Sequence, residues 1–264
     1  MKTFIFGSTG MLGTYAHKYL PYSVGITREQ VNALIIQKEH FYRQLNDLFI
    51  QPQDVIINCM GITNKYFNSN EEFIIVNSLF PRMLADYCEE KGAKMIHITT
   101  DCVFSGAEGN YCETDLHDDE NIYGLSKSVG EPLNCTTIRT SIVGENRRNS
   151  LDLLEWVRKH KDTTINGWTN HLWNGITCLQ FAKLCEKIIR TKAFWLGTRH
   201  IYSPSPITKA DMVEFISDLY ELNNVINKIE ASNSCDRTLT SIYPTIFTIP
   251  PIGKQLIEQK EFKI

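Results

Sequence analysis

The chain has no CxxC pair, no apolar run approaching the ~20 residues of a membrane span, and no large excess of either charge. Its eight cysteines, at 59, 88, 102, 112, 135, 178, 185 and 235, are scattered over 264 residues. In a chain this large they read as reduced, mostly buried thiols of a cytosolic protein. Neither they nor the seven histidines have the spacing of metal ligands, so no metal is expected. A net charge of −3 argues against nucleic acid or an anionic membrane as partner, because neither polyanion is attracted overall. It leaves room for a local pocket that takes one phosphate group. The opening MKTFIFGSTG is too short in apolar residues for a secretory leader. A soluble, cytoplasmic protein is the expectation.

What the chain does contain is a regular alternation. Thr3–Phe6 is a short apolar run stopped by Gly7, as in a buried parallel strand, and Met11–Leu20 reads as a helix ended by Pro21. A weaker strand (Tyr22–Thr27), a helix near His40–Phe49, a second buried strand (Asp54–Asn58) and a long helix over Glu71–Glu90 follow. Lys94–Ile98 and Thr136–Arg139 read as strands, Leu151–His160 and Leu179–Arg190 as helices. This order predicts an α/β fold whose doubly wound parallel sheet is covered on both sides. Past residue 145 the pattern loosens: INGWTNHLWNG (165–175) mixes aromatics with polar groups, and prolines stand at 204, 206, 244, 250 and 251. The reading is a sheet domain over 1–145 with 176–195 packing back onto it. Residues 146–175 and 196–264 would then form a smaller C-terminal substrate-binding lobe.

GSTGMLG, residues 7–13, follows the first strand and opens the first helix. Gly7 permits a tight turn, Gly10 lets backbone approach a pyrophosphate, and Gly13 lets the helix pack close to the sheet. The helix N-terminus offers free N–H groups to phosphates, which adds Thr9, Met11 and Leu12 to the candidates of a Rossmann-type cofactor site. A turn that merely needs glycines is the plainer alternative, and the strand–turn–helix context favours the nucleotide. After the second strand, where an acid would select NAD, Pro21–Arg28 has none. A guanidinium at Arg28 favours the 2′-phosphate of NADP, although a solvated surface arginine fits equally well. NADPH is the expected cofactor, with NADH the alternative.

In Asn121-Ile122-Tyr123-Gly124-Leu125-Ser126-Lys127, helical spacing puts Tyr123 and Lys127 on one face. A phenol titrates near ~10, and a neighbouring ammonium would lower that and bring it toward useful acid–base strength. TTDCVFSG (99–106) follows a strand, where ligands of a doubly wound sheet lie, and a hydroxyl there can stabilise charge developing on a carbonyl oxygen.

Together GSTGMLG, Asn58-Cys59-Met60-Gly61, Asn77, TTDCVFSG, YGLSK and Arg139-Thr140-Ser141 resemble the extended short-chain dehydrogenase/reductase superfamily. Within it they resemble most the dTDP-4-dehydrorhamnose reductase family, over most of residues 1–145 and loosely beyond. The resemblance implies that Thr100 is the catalytic hydroxyl, Tyr123 the proton donor and Lys127 its partner. It places Cys59, Met60, Gly61 and Asn77 along the cofactor. It implies NADPH-dependent reduction of the C4 ketone of a UDP- or dTDP-linked 4-keto-6-deoxy sugar, with a homodimer as the family-level expectation. The chain departs from the family at Ile142, where an aromatic is usual, and at Cys102, where tyrosine is common.

Related 4,6-dehydratases carry Thr-Asp-Glu, and the absence of that glutamate at Cys102 speaks against dehydration. GDP-fucose synthases and plant-type UDP-rhamnose epimerase/reductases resemble this loop in having the cysteine. A bifunctional 3,5-epimerase/4-reductase using a Cys102 thiolate is therefore one alternative. The opposite-face His or Lys of those enzymes is missing from Asn149–Leu153, with His171 the spatial candidate. A non-catalytic regulatory subunit of the same fold is the other. For the substrate, the candidates are Thr100 and Asp101, Trp168 or Trp173 for stacking, and Asn170 or Asn174 for hydrogen bonds. Arg237, resembling a late arginine of related enzymes, would meet the diphosphate. Either tryptophan is equally compatible with a plain core role.

Overall fold

Strands β1 (Thr3–Phe6) and β3 (Val55–Asn58) are apolar on both faces, and both faces are covered. The computed structural model describes residues 1–63, 69–146 and 152–264. The chain runs β1 (Thr3–Phe6), α1 (Met11–Tyr19), β2 (Val24–Ile26), α2 (Lys38–Asn46), β3 (Val55–Asn58), α3 (Asn70–Ile74), α4 (Phe80–Lys91), β4 (Lys94–Thr100), α5 (Ile122–Val129) and β5 (Thr136–Thr140). It continues through β6 (Ile142–Val143), α6 (Leu153–Lys159), β7 (Thr164–Trp168), β8 (His171–Trp173), β9 (Ile176–Thr177), α7 (Cys178–Thr191), β10 (Gly197–His200), β11 (Ile207–Thr208), α8 (Lys209–Leu219), β12 (Val225–Ile229), β13 (Cys235–Asp236) and α9 (Ile252–Phe262). Of the region Asn149–Leu153, positions 149–151 lie outside the described residues.

Six strands form one sheet in the order β2-β1-β3-β4-β5-β10, all parallel. Strand side chains alternate between faces. Ile5, Ile57, Ile96 and Ile138 join α1 and α7 in one apolar layer, while Phe4, Phe6, Ile56 and Met95 join α2 and α4 in the other. The chain leaves β1 for β2 on one side and returns to β3 on the other. This switch point opens a crevice at the carboxyl ends of β1 and β3, where ligands of such sheets bind. Between α3 and α4 the helix widens into a π-helical turn, Ile75–Leu79, that carries Asn77.

Residues 197–200, expected in the smaller lobe, instead extend the main sheet as its edge strand beside β5. Arg199 and His200 give that strand no apolar run, which is why the sequence did not reveal it. The smaller lobe has its own core of Leu154, Val157, Ile165, Met212, Val213, Ile216, Ile252 and Leu256. Helix α9 closes both units: Ile252 and Leu256 sit in the lobe core, while Phe262 packs on the large core and stacks at 6.1 Å on Tyr15.

Candidate active site

The glycine loop is built as its spacing demands. Gly7 has φ +74, and a Cβ at Gly13 would run into the Gly7 carbonyl, so α1 can approach the turn only with glycine there. Gly7, Thr9, Gly10, Arg28, Cys59, Met60 and Gly61 line one crevice, with Thr27, Ile62, Glu72 and Val76. Met11 and Leu12 do not line it. Leu12 is buried in the core and Met11 packs partly against it, because the first turn of α1 faces the sheet. Arg28 is exposed at the rim. The shape of this crevice, with bare backbone at a helix N-terminus and a guanidinium at one end, fits a dinucleotide phosphate.

Asn77 is fully enclosed. It donates to the Ile62 carbonyl (3.0 Å) and to Ser126 Oγ (3.1 Å), and its Oδ1 accepts from the Ile62 N–H at 3.0 Å. It thus ties the crevice wall to α5. Lys127 is buried with its ammonium against Gly61, and burial pulls its pKa down to about 8.

Helix α5 starts where Asn121 accepts from the N–H groups of Tyr123 (3.0 Å) and Gly124 (3.1 Å). Gly124 lies against the Cys102 carbonyl, too close for any side chain, and that contact brings Tyr123 over the 100–102 loop. Thr100 Oγ1 donates to Asp101 Oδ1 at 3.1 Å and accepts from the Cys102 N–H at 3.1 Å. Burial pushes the Tyr123 phenol above its usual range, Cys102 and Asp101 add to this, and Thr100 and Arg237 oppose it. The sequence reading expected Lys127 to lower this phenol; instead desolvation dominates and raises it, and Lys127 is not among the largest influences on it.

Cys102 is pushed up to about 12 by burial and then by Asp101, so it stands as a neutral thiol at ordinary pH. Asp101 is itself raised by desolvation, with Arg237 working in the opposite direction. Arg237 is held on three sides: Nε donates to the Phe104 carbonyl at 2.7 Å, Nη2 pairs with Asp119 at 2.8 Å, and Nη1 lies 3.6 Å from Cys102 Sγ.

A second cavity, of about 310 Å³, opens beside this loop. Asp101, Cys102 and Arg237 line it together with Ser141, Ile142, Trp168, His171, Trp173, Lys209 and Cys235. Both candidate tryptophans face it. The two asparagines do not: Asn170 is clasped to the Ala231 backbone (2.8 and 2.9 Å) and Asn174 to that of Leu239 (2.8 and 2.9 Å). Sequence reasoning gave no role to Ser141, Lys209, Cys235 or Asp119: Lys209 opens α8, and the others sit on a short strand or loops without periodicity. Among the described residues no cluster of metal-ligating side chains occurs.

A dinucleotide crevice at the switch point, with a Tyr–Lys helix facing a Thr-Asp loop at the next strand end, defines a Rossmann-type protein of the short-chain dehydrogenase/reductase kind. A family model described as the RmlD substrate binding domain matches residues 1–238, and the chain belongs to that family. A dTDP-4-dehydrorhamnose reductase of Mycobacterium tuberculosis is 36% identical over 89 residues, a match spanning 31% of this chain and 29% of that protein. A Haloferax volcanii protein named as probable low-salt glycan biosynthesis reductase Agl14 is 27% identical over 249 residues, covering 83% of this chain and 80% of its own. Among solved structures, a Bacillus anthracis dTDP-4-dehydrorhamnose reductase in complex with NADP superposes with a TM-score of 0.79, at 18% identity over 99% of both chains.

Proposed function

We propose that this protein is an NADPH-dependent reductase acting on the C4 ketone of a UDP- or dTDP-linked 4-keto-6-deoxy sugar. The observation that carries the reading is that Tyr123 meets Thr100, with Asp101 and Cys102 beside it lining the aromatic cavity, while Lys127 lies against Gly61 of the dinucleotide-shaped crevice. Gly7, Thr9, Gly10, Arg28, Cys59, Met60 and Gly61 would hold NADPH, which supplies the hydride when bound; NADH is the alternative cofactor. Asn77 keeps the crevice wall and α5 in register. Thr100 donates a hydrogen bond to the ketone oxygen, and Tyr123, protonated at neutral pH, gives its proton to the oxygen as negative charge develops there. Lys127 places a positive charge beside the same crevice. Trp168 and Trp173 flank the substrate, and Asp101 accepts the single Thr100 hydroxyl proton until the ketone oxygen takes its place. Two copies of the chain are the expected assembly, with no nucleic-acid partner.

A Cys102 epimerase needs a thiolate to remove a proton beside the ketone, and a thiol near 12 does not supply one at neutral pH. A purely regulatory protein has no use for the proton-delivery set. Incubation with NADPH and both sugar nucleotides in deuterated water, followed by NMR, tests all three readings. Hydride transfer to C4 with no deuterium at C3 or C5 is expected. Tyr123→Phe should lower turnover by about 10²- to 10⁴-fold while still binding NADPH. No oxidation of NADPH with either sugar nucleotide would sink the proposal, and deuterium at C3 or C5 would revive the epimerase.

A further inference from the structure

The reading above leaves the substrate's diphosphate without a partner, and the arginine expected to meet it is already engaged. Arg237 is ion-paired with Asp119 and bound to the Phe104 carbonyl and the Cys102 sulfur. His171 Nε2 is held by the Asn233 carbonyl at 3.0 Å. Among the described residues, Lys209 is the lysine of this cavity, and its ammonium has neither an ion pair nor a hydrogen bond. The neighbouring carboxylate Asp211 does not compete for it, being bound by Thr208 Oγ1 (2.7 Å) and Lys228 (2.9 Å).

The strand register says which end of the cavity each cation marks. β8 lies between β11 and β13, with Thr208 and Asp236 both opposite Leu172. Lys209, the first residue of α8, and Arg237 follow those two residues directly, and both line the cavity that His171 and Trp173 line. Because β11 is antiparallel to β8 and β13 is parallel, Lys209 is carried toward the His171 end and Arg237 toward the Trp173 end. Two strand spacings, about 10 Å, already separate β11 from β13, and the opposite directions of the two chains add to the distance between Lys209 and Arg237. Arg237 touches Cys102, whose N–H is bound to Thr100, so Arg237 marks the ketone end. Lys209 stands across β8 from it, at a separation comparable with a hexose ring and its anomeric phosphate. Lys209, Trp168 and Leu153 also line an adjoining cavity of about 450 Å³, together with Trp156, His160 and Asn166.

We propose that Lys209, and not Arg237, takes the diphosphate charge of the nucleotide-linked substrate, with the sugar over β8 and the nucleoside in the adjoining cavity beyond Trp168. This rests on the function proposed above. Arg237 is then a positioning residue that fixes the 102–104 loop against Asp119.

Calorimetry on the NADPH-loaded protein tests it with uridine, UDP, thymidine and dTDP as probes. In the wild type the matching nucleoside diphosphate should bind about 10- to 100-fold more tightly than its nucleoside, the range of a charge-assisted contact. Lys209→Ala should erase that difference while leaving NADPH affinity unchanged, and Lys209→Arg should restore most of it. A wild-type diphosphate preference that survives in Lys209→Ala, or that is lost in Arg237→Gln but kept in Lys209→Ala, overturns the inference. Binding of NADPH but of neither nucleoside diphosphate overturns the functional reading, and the assignment of Lys209 falls with it.

Discussion

Tyr123 and Lys127 are pushed in opposite directions by the same cause. Burial disfavours the charged form of each, so the phenol rises and the ammonium falls to about 8. A raised phenol holds its proton throughout the neutral range, which suits a donor better than the lowered phenol expected from helix spacing alone. The limiting group on the alkaline side is then the lysine. As pH rises through about 8, Lys127 gives up its proton and the positive charge beside the crevice disappears. The kcat/KM for ketone reduction should therefore fall above about pH 8, and a pH–rate profile flat to pH 10 would contradict this role for the lysine. Cys102, whose identity departs from the family's usual tyrosine, has a thiol too weakly acidic to share in that titration.

Among the elements, β5, β10, α5 and the 111–119 loop meet at one buried guanidinium. Arg139 pairs with Glu131 (2.6 Å) and also donates to Nε2 of His200 and of His117, both at 2.7 Å. Each ring must be neutral to accept, so its proton lies on Nδ1, given to Ser128 by His117 and to the Thr240 carbonyl by His200. Burial and then the Arg139 charge lower both histidines, His200 to about 4, while Glu113 acts in the opposite sense on His200. In the unfolded chain these rings take up protons near pH ~6.5, which the folded chain refuses. Their contribution to stability is thus complete above about pH 6.5 and declines as pH falls toward about 4. Melting temperature followed from pH 7.5 to 4.5 should drop steadily, and a flat curve would show that the network tolerates protonation. None of this was legible beforehand, because a lone Arg or His in a sequence carries no sign of its partners. The early strands and helices were legible, since Ile5, Ile57 and Ile96 lie in apolar runs bounded by turn residues. β10 was not, since His200 is buried in this network and the rest of the strand is half-buried and polar. α8 does carry the helical signals, a Thr208 cap with Asp211 and apolar Met212, Val213 and Ile216, within a region whose prolines suggested irregular structure.

At the scale of the whole molecule, the site is a seam. The segment that follows β4 supplies Asp101 and Cys102, while the lobe supplies Trp168, Trp173 and Lys209, so the second cavity exists only where the two units are held together. α9 does much of the holding. Besides the two cores it touches, its Gln255 Oε1 accepts from the Thr177 N–H (3.0 Å) and its Gln259 Oε1 from that of Leu179 (3.2 Å). Leu256→Ala should cost about 2–5 kcal/mol, the range for a buried leucine, when followed by urea denaturation. A loss below about 1 kcal/mol would mean that the lobe core closes without it.

The placing of α9 also bears on how the molecule is made. A polypeptide leaves the ribosome amino end first, at about 5–20 residues per second. β1 through β5 are thus free to pair long before residues 252–262 emerge. Until those residues arrive, the nascent lobe keeps the seats of Ile252 and Leu256 open to water, and Tyr15 waits for its stacking partner. The sheet with its dinucleotide-shaped crevice can form during translation, but the lobe core is completed only once residues 252–262 have emerged.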